Sequence, residues 1–297
     1  MNFLIIGHSV VDKIIENENY SIKPGGIFYT VISLLSQTEP FDKIFLCSNL
    51  DEKNQQLFEP AYSKVEKDFF NIVDSIPGVE LRINEAGERD ETYSRITANI
   101  EIPLSGLEQF DGILINMITS YDISLIQLRE LRKNYDGLIY FDVHTLSRGI
   151  DNNLNRYFRP IKNFDEWVRN IDILQANVSE LQTLTHKKLE KDIVEILFSY
   201  GVKQVIVTKS AEGATVYFKI DNNIKSINRD AIKVKTINKV GCGDVFGAVY
   251  FYNYIKNKNI HAALDKATLY AALSTTYSKV NEFLNLREDA YERNSKK

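Results

Sequence analysis

A short run late in the chain carries residue types that can do chemistry: Val240-Gly241-Cys242-Gly243-Asp244-Val245-Phe246. Gly241 and Gly243 let the backbone pass close to a ligand, and the N–H groups of the helical turn expected here point the same way. With the helix dipole behind them, the amides of Gly241, Cys242 and Gly243 can hold a phosphate or a developing anion. Asp244 puts a carboxylate at the same place. It can cap the helix, or it can deprotonate a hydroxyl that attacks phosphorus beside the anion hole. Further polar residues fall where strands should end: Asp142 and His144, Asn177 and Glu180, Thr208 and Lys209. Asn177 and Glu180 also have the spacing of a capping box. His144 reads as a general base or, by preference, as a satisfied loop histidine.

The elements that must position these residues follow from the apolar pattern. Residues 3–6 are a buried first strand ended by Gly7, and residues 12–24 suit a small hairpin standing off the sheet. Pro24-Gly25-Gly26 breaks that hairpin, a helix begins at Phe28, and residues 43–48 are the next strand. Residues 51–78 read as polar and helical, with Phe58, Tyr62, Val65, Phe69 and Phe70 on the apolar face. Residues 79–84 and 91–100 alternate around a turn at 86–90, a second hairpin. Together with 12–24 it can form a β-lid over a pocket, with Arg89, Tyr93 and Arg95 as candidate contacts. From residue 112 onward strands at 113–115, 138–143, 171–175 and 204–207 alternate with helices, which means a parallel sheet covered on both faces. Its ligands belong at the C-terminal strand ends. Residues 213–220, 223–228 and 232–238 then read as antiparallel strands, the last leading into the glycine turn. A helix follows on Val245, Ala248, Val249, Tyr252 and Ile255, then a second over 262–277 and a charged, frayed tail over 286–297.

The Gly-Cys-Gly-Asp run resembles the Thr-Gly-Ala-Gly-Asp-x-Phe signature of the ribokinase-like (phosphofructokinase-B type) family of carbohydrate kinases. The resemblance implies a three-layer α/β/α sandwich with a mostly parallel central sheet and a small β-lid, in a single domain over 1–297. It also implies that Asp244 is the catalytic base and the turn amides the anion hole. Asp12 matches the family's early Asp that holds substrate hydroxyls, and Gly25-Gly26 matches its glycine pair; Thr30 stands roughly where the family has a sugar-contacting Asn. Asp142 fits the family's Asp-Pro-Asn-x-Arg, with His144 in place of the Asn and Arg148 two positions late. Asn177 and Glu180 match an Asn-x-x-Glu that organises Mg²⁺ and phosphates, often through water. Thr208 and Gly213 match the Thr-x-Gly-x-x-Gly that wraps the nucleotide phosphates; Ser210 replaces its first glycine, and Lys209 can add positive charge. Where the signature begins with an Asp that helps bind a monovalent cation, this chain has Asn238, which puts K⁺ activation in doubt.

Composition excludes several classes. The chain has 297 residues, 44% of them hydrophobic, and a net charge of −4, so no nucleic-acid or membrane partner is expected. Two cysteines, Cys47 and Cys242, give neither a disulfide framework nor zinc spacing. Residues 1–7 lack a signal peptide's basic leader and apolar run, which makes the cytoplasm the default. No Gly-x-x-x-x-Gly-Lys-Ser/Thr loop occurs, so phosphate binding rests on the turn at 241–244. The expected reaction is transfer of the ATP γ-phosphoryl group, with Mg²⁺, to a hydroxyl of a small sugar or sugar-like alcohol. The alternatives are a degenerate binder of a sugar or nucleotide, and a nucleoside kinase in which Phe28 and Tyr29 stack on a base. A homodimer through the lid is compatible with its strands.

Overall fold

The computed structural model describes residues 1–16, 19–83 and 89–295. Its main sheet has nine strands among the described residues. In spatial order they are Asn223–Arg229, Ala214–Ile220, Gln204–Thr208, Ile173–Asn177, Leu138–Asp142, Gly112–Asn116, Asn2–Ile6, Lys43–Leu50 and Phe70–Ile72. The first two pair antiparallel and the other seven run parallel. Alternation along each central strand divides two cores. Phe3, Ile5, Leu114, Tyr140 and Ile206 face one side, while Leu4, Ile6, Ile113, Ile115, Phe141, Val205 and Val207 face the other. Helices Phe28–Leu35, Cys242–Asn257 and Ile260–Ser274 cover the first core, and Leu125–Lys133, Phe164–Val168 and Glu190–Ser199 the second. Two covered faces explain why the strands read as near-continuous apolar runs.

The lid is a separate four-stranded sheet in the order Asn19–Gly26, Ser9–Glu16, Gly78–Ile83, Arg89–Arg95. Both expected hairpins are present, and Ser9–Glu16 and Gly78–Ile83 run parallel in the centre to join them. Val10, Asp12, Ile14, Val79, Leu81 and Tyr93 are buried on its inner face. Its outer face carries Lys13, Glu80 and Arg82, joined by ion pairs of 2.8 and 3.1 Å.

Several element assignments need correction. Residues 51–78 hold only Glu52–Asn54 and Gln55–Tyr62 as helix; Phe70–Ile72 is instead the edge strand of the main sheet. Phe70 and Phe69 pack on Tyr62 and Phe45, so their spacing came from edge-strand burial rather than a helical face. The lid strand expected over 91–100 ends at Arg95. Gly25 and Gly26 lie inside a strand rather than after it. Residues 232–238 form no strand; this segment hangs instead on the C-terminal end of the later helix Ile260–Ser274, with Ile237 N and Asn238 N both donating to Thr275 O at 2.7 and 3.0 Å. The expected turn at 86–90 falls largely outside the described residues, as does the Arg89 side chain.

Candidate active site

The helix Cys242–Asn257 starts over the C-terminal ends of the parallel strands. Its N-cap, Gly241, has φ 78°, and a Cβ there would lie 2.4 Å from the Tyr29 ring, so the turn is closed by a residue without a side chain. Two amide side chains on the parallel strands, Gln175 within one and Asn116 at the end of another, pin the first helical turn. Gln175 Nε2 donates to Gly243 O at 3.2 Å, and Asn116 Nδ2 donates to Asp244 Oδ1 at 2.6 Å. Asn116 also reaches Thr30 Oγ1 at 3.3 Å, which links the substrate-side helix to the expected base. Cys242 N donates to Lys239 O at a long 3.4 Å, and the i→i−4 ladder begins only at Val245. A side chain at position 243 would meet no atom within 4 Å. The turn therefore faces open space with helix-start amides around it.

Four ionisable groups converge behind this turn. Burial pushes the Asp244 carboxyl above the ordinary carboxylate range, against the pull of His144 and Asn116. Burial pushes Asp142 up further, and Glu180 and Asp244 add repulsion; Gln175 Nε2 holds its Oδ2 at 2.7 Å. For His144 burial acts downward, but Glu180, Asp244 and Asp142 outweigh it and lift the imidazole to about 9. One cation thus stands among three carboxylates, with His144 Nδ1 3.7 Å from Glu180 Oε1.

Asn177 and Glu180 form the expected capping box: Glu180 N donates to Asn177 Oδ1 at 2.9 Å, and Asn177 N to Glu180 Oε2 at 2.8 Å. Glu180 Oε1 is left on the His144 side. Thr208 closes its strand opposite Ala214. Gly213 has φ 93°, and a Cβ would sit 1.9 Å from Arg229 O, so strand packing alone requires glycine there. Ser210, in place of a glycine, keeps a positive φ of 51°. Lys209 does not stand free toward a phosphate; its Nζ pairs with Glu190 Oε1 at 2.8 Å, an oxygen that also accepts from Tyr217. Asn238 Oδ1 accepts from Val240 N at 3.0 Å, forming a local turn.

On the lid side, Asp12 is buried and its carboxylate lies directly on Gly25, where a Cβ would come within 2.1 Å of it. A cavity of about 360 Å³ runs between Ile14, Tyr20, Lys23 and Leu81 of the lid and Ile237, Asn238 and Val240 before the glycine turn. Phe28 and Tyr29 are core residues, Phe28 among Phe58 and Tyr62, and Tyr29 between Gly241 and Phe283.

The structure thus brings Thr30 and the 241–244 turn together through Asn116, and Glu180 to the same centre through His144. Thr208, Lys209 and Gly213 lie one strand away. Asn116 and Gln175 were missed in the sequence. The only available signal was a polar residue inside or at the end of an apolar strand, and Asn116 does end the run Gly112–Asn116.

Residues 144–286 match the family described as pfkB family carbohydrate kinase. Among curated proteins the chain is similar to a 5-dehydro-2-deoxygluconokinase of Clostridium botulinum, 23% identical over 79% of this chain and 68% of that protein. Among solved structures it resembles a pyrophosphate-dependent kinase in the ribokinase family, TM-score 0.79 at 17% identity, covering 98% of this chain and 99% of the other. It also resembles the ribokinase of Arabidopsis thaliana complexed with ribose and ATP, TM-score 0.77 at 17% identity, covering 98% and 97%. At these identities the structural likeness establishes the fold. No helix among the described residues is long and apolar enough to cross a membrane. Residues 144–286, just under half of the chain, are thus similar to the pfkB family of carbohydrate kinases, and the fold is ribokinase-like.

Proposed function

We propose that this chain, acting as one catalytic unit over 1–297, transfers the γ-phosphoryl group of ATP to a hydroxyl of a sugar or sugar-like alcohol. The observation that carries the reading is Asp244: a half-buried carboxylate in the first turn of a helix, held by Asn116 and next to Gly243, whose own side is open. In this reading Asp244 takes the proton of the acceptor hydroxyl, and the amides at 241–244 hold oxygens of the transferring group. Asp12 binds acceptor hydroxyls beside Gly25, and the lid excludes water that would hydrolyse the donor. The residues present fit a magnesium nucleotide: the open face of Gly243 leaves room for phosphate, and Glu180 Oε1 is a hard oxygen outside its cap. Mg²⁺ bound near Glu180 would neutralise charge on the phosphate oxygens. The pyrophosphate-dependent neighbour makes the donor a question for the same assay. A nucleoside kinase is less well supported, because the rings of Phe28 and Tyr29 are committed to the core.

The test is acceptor-dependent ADP release with Mg-ATP, or phosphate release with pyrophosphate, across sugars, sugar acids, sugar phosphates and nucleosides. Turnover with ATP is expected, and Asp244→Asn is expected to lower kcat by roughly 10²–10⁴-fold. Turnover that survives Asp244→Asn would remove Asp244 as base. Thermal stabilisation by an acceptor without turnover with either donor would favour a binding protein instead.

A further inference from the structure

Outside the Asp244 centre, two arginines converge on one carboxylate of the lid's edge strand Arg89–Arg95. Arg148 Nη1 and Arg156 Nη1 donate to the same oxygen, Glu91 Oε2, at 2.6 and 2.8 Å. The three side chains are only 19%, 8% and 21% exposed. Burial pushes the Glu91 carboxyl up, but Arg156, Arg148 and His144 together hold it below the usual range, so it is ionised at neutral pH. Among the described residues, two guanidinium charges meet one carboxylate, which leaves one positive charge in excess. Arg148 Nε and Arg156 Nε are both buried without an acceptor among the described residues. Buried donors ordinarily find acceptors, so these two unpartnered Nε groups leave the pair open to a further anion. Both planes are also fixed by rings: Arg156 lies 4.2 Å above Tyr93 and Arg148 5.0 Å from Phe158. Pre-oriented guanidiniums of this kind suit two-point recognition of a carboxylate or phosphate.

The pair is placed to meet the acceptor. Asp12, Val79 and Tyr93 form one row across the lid, all buried on its inner face. Tyr93 lies roughly 10 Å from Asp12, two strand spacings away, and Arg156 is seated on its ring. At the other end, Arg148 follows the His144–Ser147 turn, and the charge of His144 acts on both Asp244 and Glu91. The strands Arg148–Ile150 and Arg156–Phe158 pair with each other, and their connecting loop is bound to the lid edge through Tyr93 N to Leu154 O and Thr92 Oγ1 to Asn155 Oδ1.

We propose that Arg148 and Arg156 form an anion site for the acceptor, so that the compound phosphorylated at Asp244 is an anionic sugar derivative, a sugar acid or a sugar phosphate. The proposal rests on the kinase reading for the word acceptor, but anion binding itself is measured without a donor. Calorimetry with D-gluconate, 5-dehydro-2-deoxy-D-gluconate, D-glucose 6-phosphate and neutral D-glucitol separates the sources. At least one of the anions is expected to bind about tenfold or more tighter than glucitol, with carboxylate or phosphate preference read directly. Arg148→Gln is expected to reduce that preference at least about tenfold, and Arg148→Lys, which keeps charge without the fork, to fall between. The lysine variant also serves if the glutamine variant does not fold. Equal binding of glucitol and the anions, no binding by any of the anions, or equal weakening of both classes by Arg148→Gln would overturn the proposal. Anion binding without turnover would sink the kinase reading and leave the anion site standing. Efficient turnover of neutral acceptors would do the reverse.

Discussion

Asp244 shows how far a residue's role depends on partners brought from elsewhere in the chain. Its glycine turn and helix start were legible in the sequence, and so was its choice between cap and base. What sets its protonation is burial and the groups brought around it: His144 after one strand, Asn116 at the end of another, and Glu180 from a short helix. A base works only when ionised, and burial raises this carboxyl, so activity should begin to fall at a pH above the ordinary carboxylate range. The imidazolium of His144 acts downward on Asp244. His144→Asn removes that charge, so the Asp244 carboxyl rises and the acid limb of kcat/KM moves to higher pH. An unmoved limb in the pH–rate profile would show that His144 does not act on the base. Asn116 was invisible beforehand because its two contacts span 86 and 128 residues of chain.

At the scale of elements, local pattern served best where burial is simple. The central strands and the amphipathic helix Leu125–Lys133 were expected within a few residues; its Ser124 capping box appears only in the structure. Elements whose shape depends on a neighbour were read less well. Ile232, Val234 and Ile237 alternate like a strand, yet Ile237 is 60% exposed and the segment is held by Thr275 instead of a ladder. The lid was expected from two hairpins brought together, and the structure joins them through the parallel pairing of Ser9–Glu16 with Gly78–Ile83, which no local pattern names. That sheet sets Asp12 against Gly25. Gly25→Ala would drive a methyl into the Asp12 carboxylate, a flexible side-chain end, so the lid should fold with Asp12 displaced. Acceptor kcat/KM is expected to drop by roughly 10–100-fold, mainly through KM, while the donor KM stays near that of the wild type. Equal loss for donor and acceptor in steady-state kinetics would place Gly25 outside the acceptor site.

For the molecule as a whole, stability rests on two cores on either side of one sheet, and the helix that carries Asp244 is also a main element of the first. Phe251 on that helix is fully buried and packs edge-on against Phe3 and Tyr140, 5.5 and 5.9 Å between ring centres. Phe251→Ala is expected to cost about 3–5 kcal/mol, measured by urea unfolding. A loss under about 1 kcal/mol would mean that the helix is not anchored through this core.

By itself the sequence determined the alternation of strands and helices, the covered parallel sheet and the glycine turn with its carboxylate, because these are written in residues next to one another. Periodicity and turn chemistry act over a few positions and need no partner. The tertiary structure alone decided which polar residues meet: Asn116 with Asp244, His144 among three carboxylates, Lys209 with Glu190 instead of a phosphate, and Arg148 with Arg156 on Glu91. Those encounters depend on strand order and on where the lid lies over the strand ends. Neither is encoded in any single stretch of chain, since pairing order is fixed only when the whole apolar surface finds a common arrangement.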